Sequence, residues 1–366
     1  MNKVLSFVTI AATALFLGSC AKHAQTGPNE ANKRYLEAWL QVNNIDVEPS
    51  GRGIYIIEDE AGTGVEIKKD GYIFLEYTAT DIEGSIHSYT NKEIAQQLGT
   101  YHPSYYYGPE ITTSFSGNIY AGLSDMLMGM KVGGHRKAII PSWLLSYKEF
   151  DNEEEYLNIS STSSTLIYDI HLKDFTTDID QWEIDSIGRF FSNNQVLIDG
   201  IAADKIFVRD DGNIMTARDS ISEGFYYKQL VPPSNNNAFK SDTTIYINYT
   251  GRLLNGQVFD TTIEDVAKDY NIYSSSNDYS PVQINWANTN EGETHESITM
   301  GTSEGSLVGG FTKILWQMKA MEKGIGVFYS ALGYTYSGSG QRIPAYSPLI
   351  FENKRKIHSR NYQQDC

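Results

Sequence analysis

Four phrases of this chain occur twice in the same order, and that repetition limits what it can fold into. Leu75-Glu76-Tyr77-Thr78 returns as Ile247-Asn248-Tyr249-Thr250, and Gly122-Leu123 to Met130 returns as Gly310-Phe311 to Met318. Pro141-Ser142-Trp143-Leu144 matches Tyr329-Ser330-Ala331-Leu332, and Leu166-Ile167-Tyr168-Asp169 matches Leu349-Ile350-Phe351-Glu352. Matching phrases at matching order are the signature of one structural unit used twice. Within each copy, Tyr72-Ile73-Phe74-Leu75 and Thr244-Ile245-Tyr246-Ile247 are short, aromatic and β-branched, and Gly, Asp or Ser bound them; they read as strands. One convincing helix lies late in each copy: Leu123, Met126, Leu127 and Met130 follow Gly122 at helical spacing, as Phe311, Ile314, Leu315 and Met318 follow Gly310. Many strands with one short helix predict an α+β unit in which an antiparallel sheet folds over that helix.

Each copy is preceded by its own helical stretch. Asn29 to Val42 puts Tyr35, Leu36, Trp39 and Leu40 on one face, with Asn29 as the cap, and Asp180 to Phe191 does the same with Ile184, Ile187, Phe190 and Phe191. These faces either dock on their own domain or pair two chains into a homodimer; docking is favoured, because an aromatic stripe usually belongs to a core. Strand-like phrases follow both, Gly53-Ile54-Tyr55-Ile56 and Gly224-Phe225-Tyr226-Tyr227. Pro232-Pro233-Ser234-Asn235-Asn236-Asn237 cannot be helix, Asp174 to Asp180 divides the copies, and Asn271 to Ser297 reads as a long loop. The resulting divisions are a leader over 1–20, a tether and helical segment over 21–62, a first domain over 63–175, a helical linker over 176–235, a second domain over 236–352 and a polar tail over 353–366.

At the start, Lys3 is followed by the apolar run Val4 to Phe16 and then Leu17-Gly18-Ser19-Cys20. A charged start, a short apolar stretch and a small-residue cleavage site make a secretory signal. The Leu-Gly-Ser-Cys ending resembles a bacterial lipobox, in which cleavage precedes Cys20 and its thiol carries lipid; the blander reading is a plain signal peptide. Lipid chains bury about 0.8 kcal/mol per methylene, so an acylated Cys20 would hold the chain on a membrane of the bacterial envelope, the outer membrane being expected, at its periplasmic or surface face. The net charge of -16 repels nucleic acid, which is not an expected partner. The one other cysteine is Cys366, so lipidation of Cys20 leaves no intrachain disulfide.

Five motifs fall in order between Ile245 and Glu352: Tyr249-Thr250-Gly251, Phe259-Asp260, Leu307-Val308-Gly309-Gly310-Phe311, Leu332-Gly333-Tyr334 and Ile343-Pro344. Their order and spacing resemble the FKBP-type peptidyl-prolyl isomerases. The resemblance implies two tandem domains, each a curved antiparallel sheet wrapped over one short helix, and catalysis of proline isomerisation without any cofactor or metal. It assigns Tyr249, Asp260 and Tyr334 to catalysis. Phe311 becomes the pocket floor, Phe259 and Phe351 its walls with Tyr249, Ile343 one side, and Leu307 and Val308 the surface against which the peptide lies. The expected substrates are proline-containing exported polypeptides. A second function class stays open, in which both copies are non-catalytic binding modules of a chaperone or assembly subunit.

Each residue also has a plainer reading. Tyr249, Phe259 and Phe351 suit an ordinary core, Asp260 before Thr261-Thr262-Ile263-Glu264 suits the start of a helical turn, and Tyr334 suits a loop surface. The chain departs from the family pattern at Glu296, where an aromatic residue is usual two before Ile298, and at Thr335, where a glycine follows the loop tyrosine. After Glu352 the polar run Asn353-Lys354-Arg355-Lys356 implies either a strand that stops early or an altered ending. In the first copy His87-Ser88 stands for Phe259-Asp260, Leu123 for Phe311 and Ser146 for the loop tyrosine, without an Ile-Pro pair, so that copy is expected to keep the fold and lose the activity. Gly301-Thr302-Ser303-Glu304-Gly305 matches a nucleophile elbow, but the one later histidine is His358, and the elbow is set aside.

Overall fold

The computed structural model describes residues 29–114, 117–158, 164–193, 207–208, 214–215, 224–301 and 305–356. The proposed leader with Cys20, the middle of the Gly-x-Ser-x-Gly match and the end of the tail lie outside them. In chain order come α1 (Glu30–Val42), β1 (Tyr55–Glu60), β2 (Tyr72–Asp81), β3 (Ile86–Tyr89), α2 (Lys92–Gln97), β4 (Glu110–Thr113), α3 (Ala121–Leu127), β5 (His135–Ile140), α4 (Glu153–Leu157) and β6 (Leu166–Thr176). After α5 (Ile179–Asn193) and a ribbon of β7 (Phe207–Val208) and β8 (Ile214–Met215) the plan repeats. It runs through β9 (Phe225–Val231), β10 (Thr244–Leu253), β11 (Val258–Thr261), α6 (Glu264–Asp269), β12 (Val282–Asn285), β13 (Thr299–Met300), β14 (Gly305–Ser306), α7 (Gly309–Gln317), β15 (Lys323–Phe328) and β16 (Leu349–Lys356).

The two sheets share one core strand order, which the second extends past β12 by β13 and β14. The first is ordered β1-β5-β6-β2-β3 with β4 also on β2; the second is ordered β9-β15-β16-β10, with β11 and β12 sharing the far edge of β10. All these pairings are antiparallel, and α3 and α7 lie against their sheets. Each sheet has its own core. Alternation along β10 turns Ile245, Ile247, Tyr249, Gly251 and Leu253 to the helix side, where Ile314, Leu315 and Met318 of α7 meet them. The first core is built likewise around Ile73, Leu75, Met126, Leu127, Ile170 and Leu172.

The leading helix α1 docks on its own copy, and α5 packs on the second sheet while its Trp182 lies against Phe74 of the first at 4.2 Å. Leu36 and Leu40 of α1 are buried in the first core with Trp39 packed beside them, whereas Tyr35 points out at 54% exposure. Asn29 stands at the cap position of α1 without a side-chain capping bond. On α5, Ile187 packs with Tyr226, Val327 and Ile350 on the outer side of the second sheet. Beside it Glu183 is fully buried: the Ser330 backbone N–H and hydroxyl each donate to its carboxylate, at 2.6 Å. Burial pushes this carboxyl up to about 7 against those two donors.

Several expectations are corrected. Each copy carries a further helix between its strands, α2 and α6, because Asn91 caps one through Glu93 and Ile94 and a Glu264–Lys268 ion pair supports the other, and the first copy also has α4, capped by Asn152 through Glu155. The stretch Asn271 to Ser297 is not one loop: Val282–Asn285 pairs with β10, burying Ile284, Trp286 and Ala287, a short apolar signal hidden among polar neighbours. The last strand does not stop at Glu352; its pairing with β10 continues to Lys356 opposite Tyr246. Likewise β6 runs through Asp174 to Thr176, into the segment read as a divider.

The continued strand brings Asn353 opposite Tyr249, the register position that Ile170 holds opposite Tyr77 in the first copy. Ile170 is 1% exposed and Asn353 is 0% exposed, with neither end of its amide bonded to a partner among the described residues. A buried amide left so costs roughly 1–3 kcal/mol. Asn353→Ile should therefore raise the unfolding free energy in urea by about 1–3 kcal/mol, and an unchanged or lowered midpoint would refute this account of the position.

Glu183 has a pH signature of its own. Its folded value near 7 lies above the 4.5 of a free glutamate, so the folded chain holds a proton that the unfolded chain has released between those values. Stability from this group is present below about pH 4.5 and is lost as pH rises through about 7, by on the order of 3 kcal/mol. Urea melts at pH 5 and pH 8 should show a smaller loss for Glu183→Gln than for the parent chain; parallel pH dependences would contradict it.

Candidate functional site

The site is built where β10, β11, β16 and the start of α7 converge. Register sets Gly251 opposite both Asp260 and Phe351. A Cβ on Gly251 would come within 2.5 Å of the Phe259 ring, so glycine is what lets Phe259 lie flat against β10. Phe259 and Phe351 then meet edge to face at 5.7 Å, and Phe351 meets Phe311 at 4.7 Å in the same manner. Phe311 enters from the first turn of α7, beside Gly310, whose missing side chain makes room for Phe328. Tyr249 stands edge-on to Phe311 at 5.5 Å and tilted to Phe351 at 6.0 Å. Such edge contacts set the positive rim of one ring against the negative face of the next.

One oriented carboxylate borders this apolar bowl. The Tyr249 hydroxyl donates to Asp260 Oδ2 at 2.6 Å, which fixes the carboxylate's direction and occupies one of its oxygens. Burial, then the Asp260 charge and this bond, hold the Tyr249 phenol well above its ordinary value, and burial with the Asp260 charge raises Tyr334. Both phenols are therefore donors throughout the neutral range. Asp260 belongs to strand β11, not to a helical turn; the helix that follows starts at Glu264 with Ile263 at its cap. The backbone under it is stapled, with Tyr249 N–H donating to Thr262 Oγ1 at 2.9 Å and the Thr250 and Thr261 hydroxyls bonded at 2.9 Å.

All nine residues proposed for the pocket come together. Phe259, Phe311, Ile343 and Phe351 are buried in one cluster, against which Tyr249, Leu307, Val308 and Tyr334 pack, and Asp260 joins through Tyr249. Val308 caps α7 and Tyr334 stands between two 3-10 turns, Ser330–Leu332 and Thr335–Ser337. Thr335 sits at a φ of 48°, a left-handed conformation that suits the glycine of the family pattern. Glu296 lies in a 3-10 turn, His295–Ser297, against α7. The sequence reading missed two supports. Phe328 stacks on Phe351 at 5.9 Å, and Trp286 stacks on Trp316 at 5.3 Å; the first is one more apolar strand residue, and the second follows the strand hidden in the polar stretch.

The first copy has the same frame with other contents. Ala79 replaces Gly251 opposite Ser88 and Tyr168, and the Tyr77 hydroxyl donates to Glu110 on β4 at 3.0 Å instead of to a residue on the neighbouring β3. In front of Tyr77 lies a cavity of about 830 Å³ between the copies, bordered by Tyr89, Tyr105 and Glu110 on one side and by Ile343 and Pro344 on the other. Tyr106 N–H donates to the Gln341 carbonyl at 2.8 Å across this boundary, and Gln257 Nε2 donates to the Ser104 carbonyl at 2.9 Å. Among the described residues no helix is long and apolar enough to cross a membrane.

The sequence pattern described as FKBP-type peptidyl-prolyl cis-trans isomerase matches residues 95–173 and 235–354. No curated protein matches the chain. Similar solved structures include the three FKBP domains of wheat FKBP73, at 14% identity over 82% of this chain and 92% of that one with a TM-score of 0.27. FkpA from Escherichia coli is 21% identical over 47% of this chain and 68% of its own, with a TM-score of 0.28. A peptidyl-prolyl cis-trans isomerase from Pseudomonas syringae pv. tomato is 18% identical over 50% of this chain and 97% of its own, also at 0.28. The assignment rests on the family match, which takes in more than half of the residues and both copies: the chain belongs to the FKBP-type peptidyl-prolyl cis-trans isomerases.

Proposed function

We propose that the second copy isomerises X-Pro bonds of exported polypeptides, while the first copy carries no activity of its own. The observation that carries this reading is the Tyr249–Asp260 pair set at the rim of the Phe311–Phe351 aromatic floor. Rotation about an X-Pro bond must cross a barrier of roughly 18–20 kcal/mol that comes from amide resonance. Water stabilises the planar, charge-separated amide; an apolar bowl removes that water and favours the twisted form, whose nitrogen is no longer conjugated. Phe311, Phe351 and Phe259 hold the proline ring in this reading, Leu307, Val308 and Ile343 flank the peptide, and the Tyr334 hydroxyl donates to a substrate carbonyl. The Asp260 carboxylate, steadied by Tyr249, faces the carbonyl carbon of the twisting amide. The first copy lacks the carboxylate at Ser88 and the aromatic floor at Leu123.

Lipidated Cys20 would hold the chain on a membrane of the bacterial envelope, where newly exported chains are the available substrates. Lys3, the apolar run after it and Leu17-Gly18-Ser19-Cys20 support that location.

A proline-peptide assay on the form beginning at residue 21 tests the reading. Tyr334→Phe should slow catalysis by roughly 2- to 10-fold, the worth of one hydrogen bond of about 0.5–1.5 kcal/mol. Asp260→Ala should slow it by about tenfold or more, and Phe311→Ala should bring the whole chain down to the uncatalysed rate. Uncatalysed rates in the parent chain would favour the binding-module reading, and full activity in Phe311→Ala would move catalysis to the first copy.

A further inference from the structure

We infer that the solvent face of the first sheet carries a divalent transition-metal site formed by His135, Asp169 and His171, separate from the pocket and independent of its chemistry. His135 on β5 and His171 on β6 are direct cross-strand partners, and Asp169 lies two residues before His171 and thus on the same face. The Gly134 carbonyl accepts from Leu172 N–H at the adjacent position, which leaves the two histidines as a pair without backbone bonds, the kind in which side chains come closest. Their rings stack at 4.4 Å, and His135 Nε2 lies 2.8 Å from Asp169 Oδ1. One ligand atom from each of the three residues lies within 4.8 Å of the other two. Small rotations bring such a set to the spacing required by bonds of about 2.0–2.2 Å to a zinc ion, which would replace the proton shared by His135 and Asp169. Two imidazoles and one carboxylate suit zinc or a similar borderline ion, and three protein ligands leave an open position.

The surrounding charges favour a cation. Glu60 is paired across the sheet with His135, and Glu76, itself ion-paired with Lys173 at 3.1 Å, is paired with His171, while Lys137 is shared between Asp169 at 3.6 Å and Glu58 at 3.5 Å. The second copy provides an internal contrast. At the register positions of His135, His171 and Asp169 it has Lys323, Lys354 and Glu352, with Lys323 and Glu352 ion-paired. A lysine–carboxylate pair serves the second sheet without metal; the first copy has histidines at both lysine positions, whose ring nitrogens offer lone pairs beside the carboxylate.

Calorimetric titration of Zn2+ into the untagged full chain, stripped with EDTA, tests the site. We expect one ion bound per chain, an affinity at least about tenfold weaker in each of His135→Ala, His171→Ala and Asp169→Ala, and no change in His87→Ala. No uptake by the parent chain, or undiminished uptake by the three variants, overturns the proposal. Circular dichroism checks folding of each variant; should His135→Ala unfold, His171→Gln at its exposed position decides, and parent-like binding there counts against the site.

Discussion

The pairing of β10 with β16 is the constraint on which the second copy depends. With Gly251 opposite Phe351 and Tyr249 opposite Asn353, side-chain alternation gathers the aromatic residues on the helix side. A shift of one residue would turn Tyr249 and Phe351 to the other face and leave α7 against polar side chains. Gly251 tightens the constraint, since a methyl group there meets the Phe259 ring at 2.5 Å. The aromatic floor, the direction of Asp260 and the seat of α7 follow from this single register.

Comparison of the copies separates what the fold requires from what the pocket requires. Strand order, the helix across the sheet and a tyrosine donating to a carboxylate near the pocket are common to both. Glycine under the ring, an aromatic at the first turn of the helix and the carboxylate on the adjacent strand belong to the second copy alone. In the first copy the residue in place of Phe259 is His87, whose ring lies 3.1 Å from Asp81, and Ala79 stands where the second copy has Gly251.

Much of this was legible in the sequence because it is carried by short-range order. The repeated phrases mark β2, β6, β10, β16 and the two late helices, and the motif series gathers Tyr249, Phe259, Asp260, Phe311 and Tyr334. What escaped was decided by partners distant in sequence. Val282–Asn285 becomes a strand only because Thr244–Ile247 offers it an open edge, and polar Asn353-Lys354-Arg355-Lys356 remains extended because β10 pairs with all four residues and β15 with the first two. Asp260 looked like the start of a helix by local pattern; its place in β11 comes from pairing with Gly251.

The bond between Tyr106 and Gln341 joins the first copy to the loop that bears Ile343 and Pro344. Leu123 and His87 lie away from this bond, whereas the backbone around Tyr106 is tied to it. A change around Tyr106 in one repeat therefore reaches a loop of the other that shares none of its motifs, and the two halves are coupled through this backbone bond.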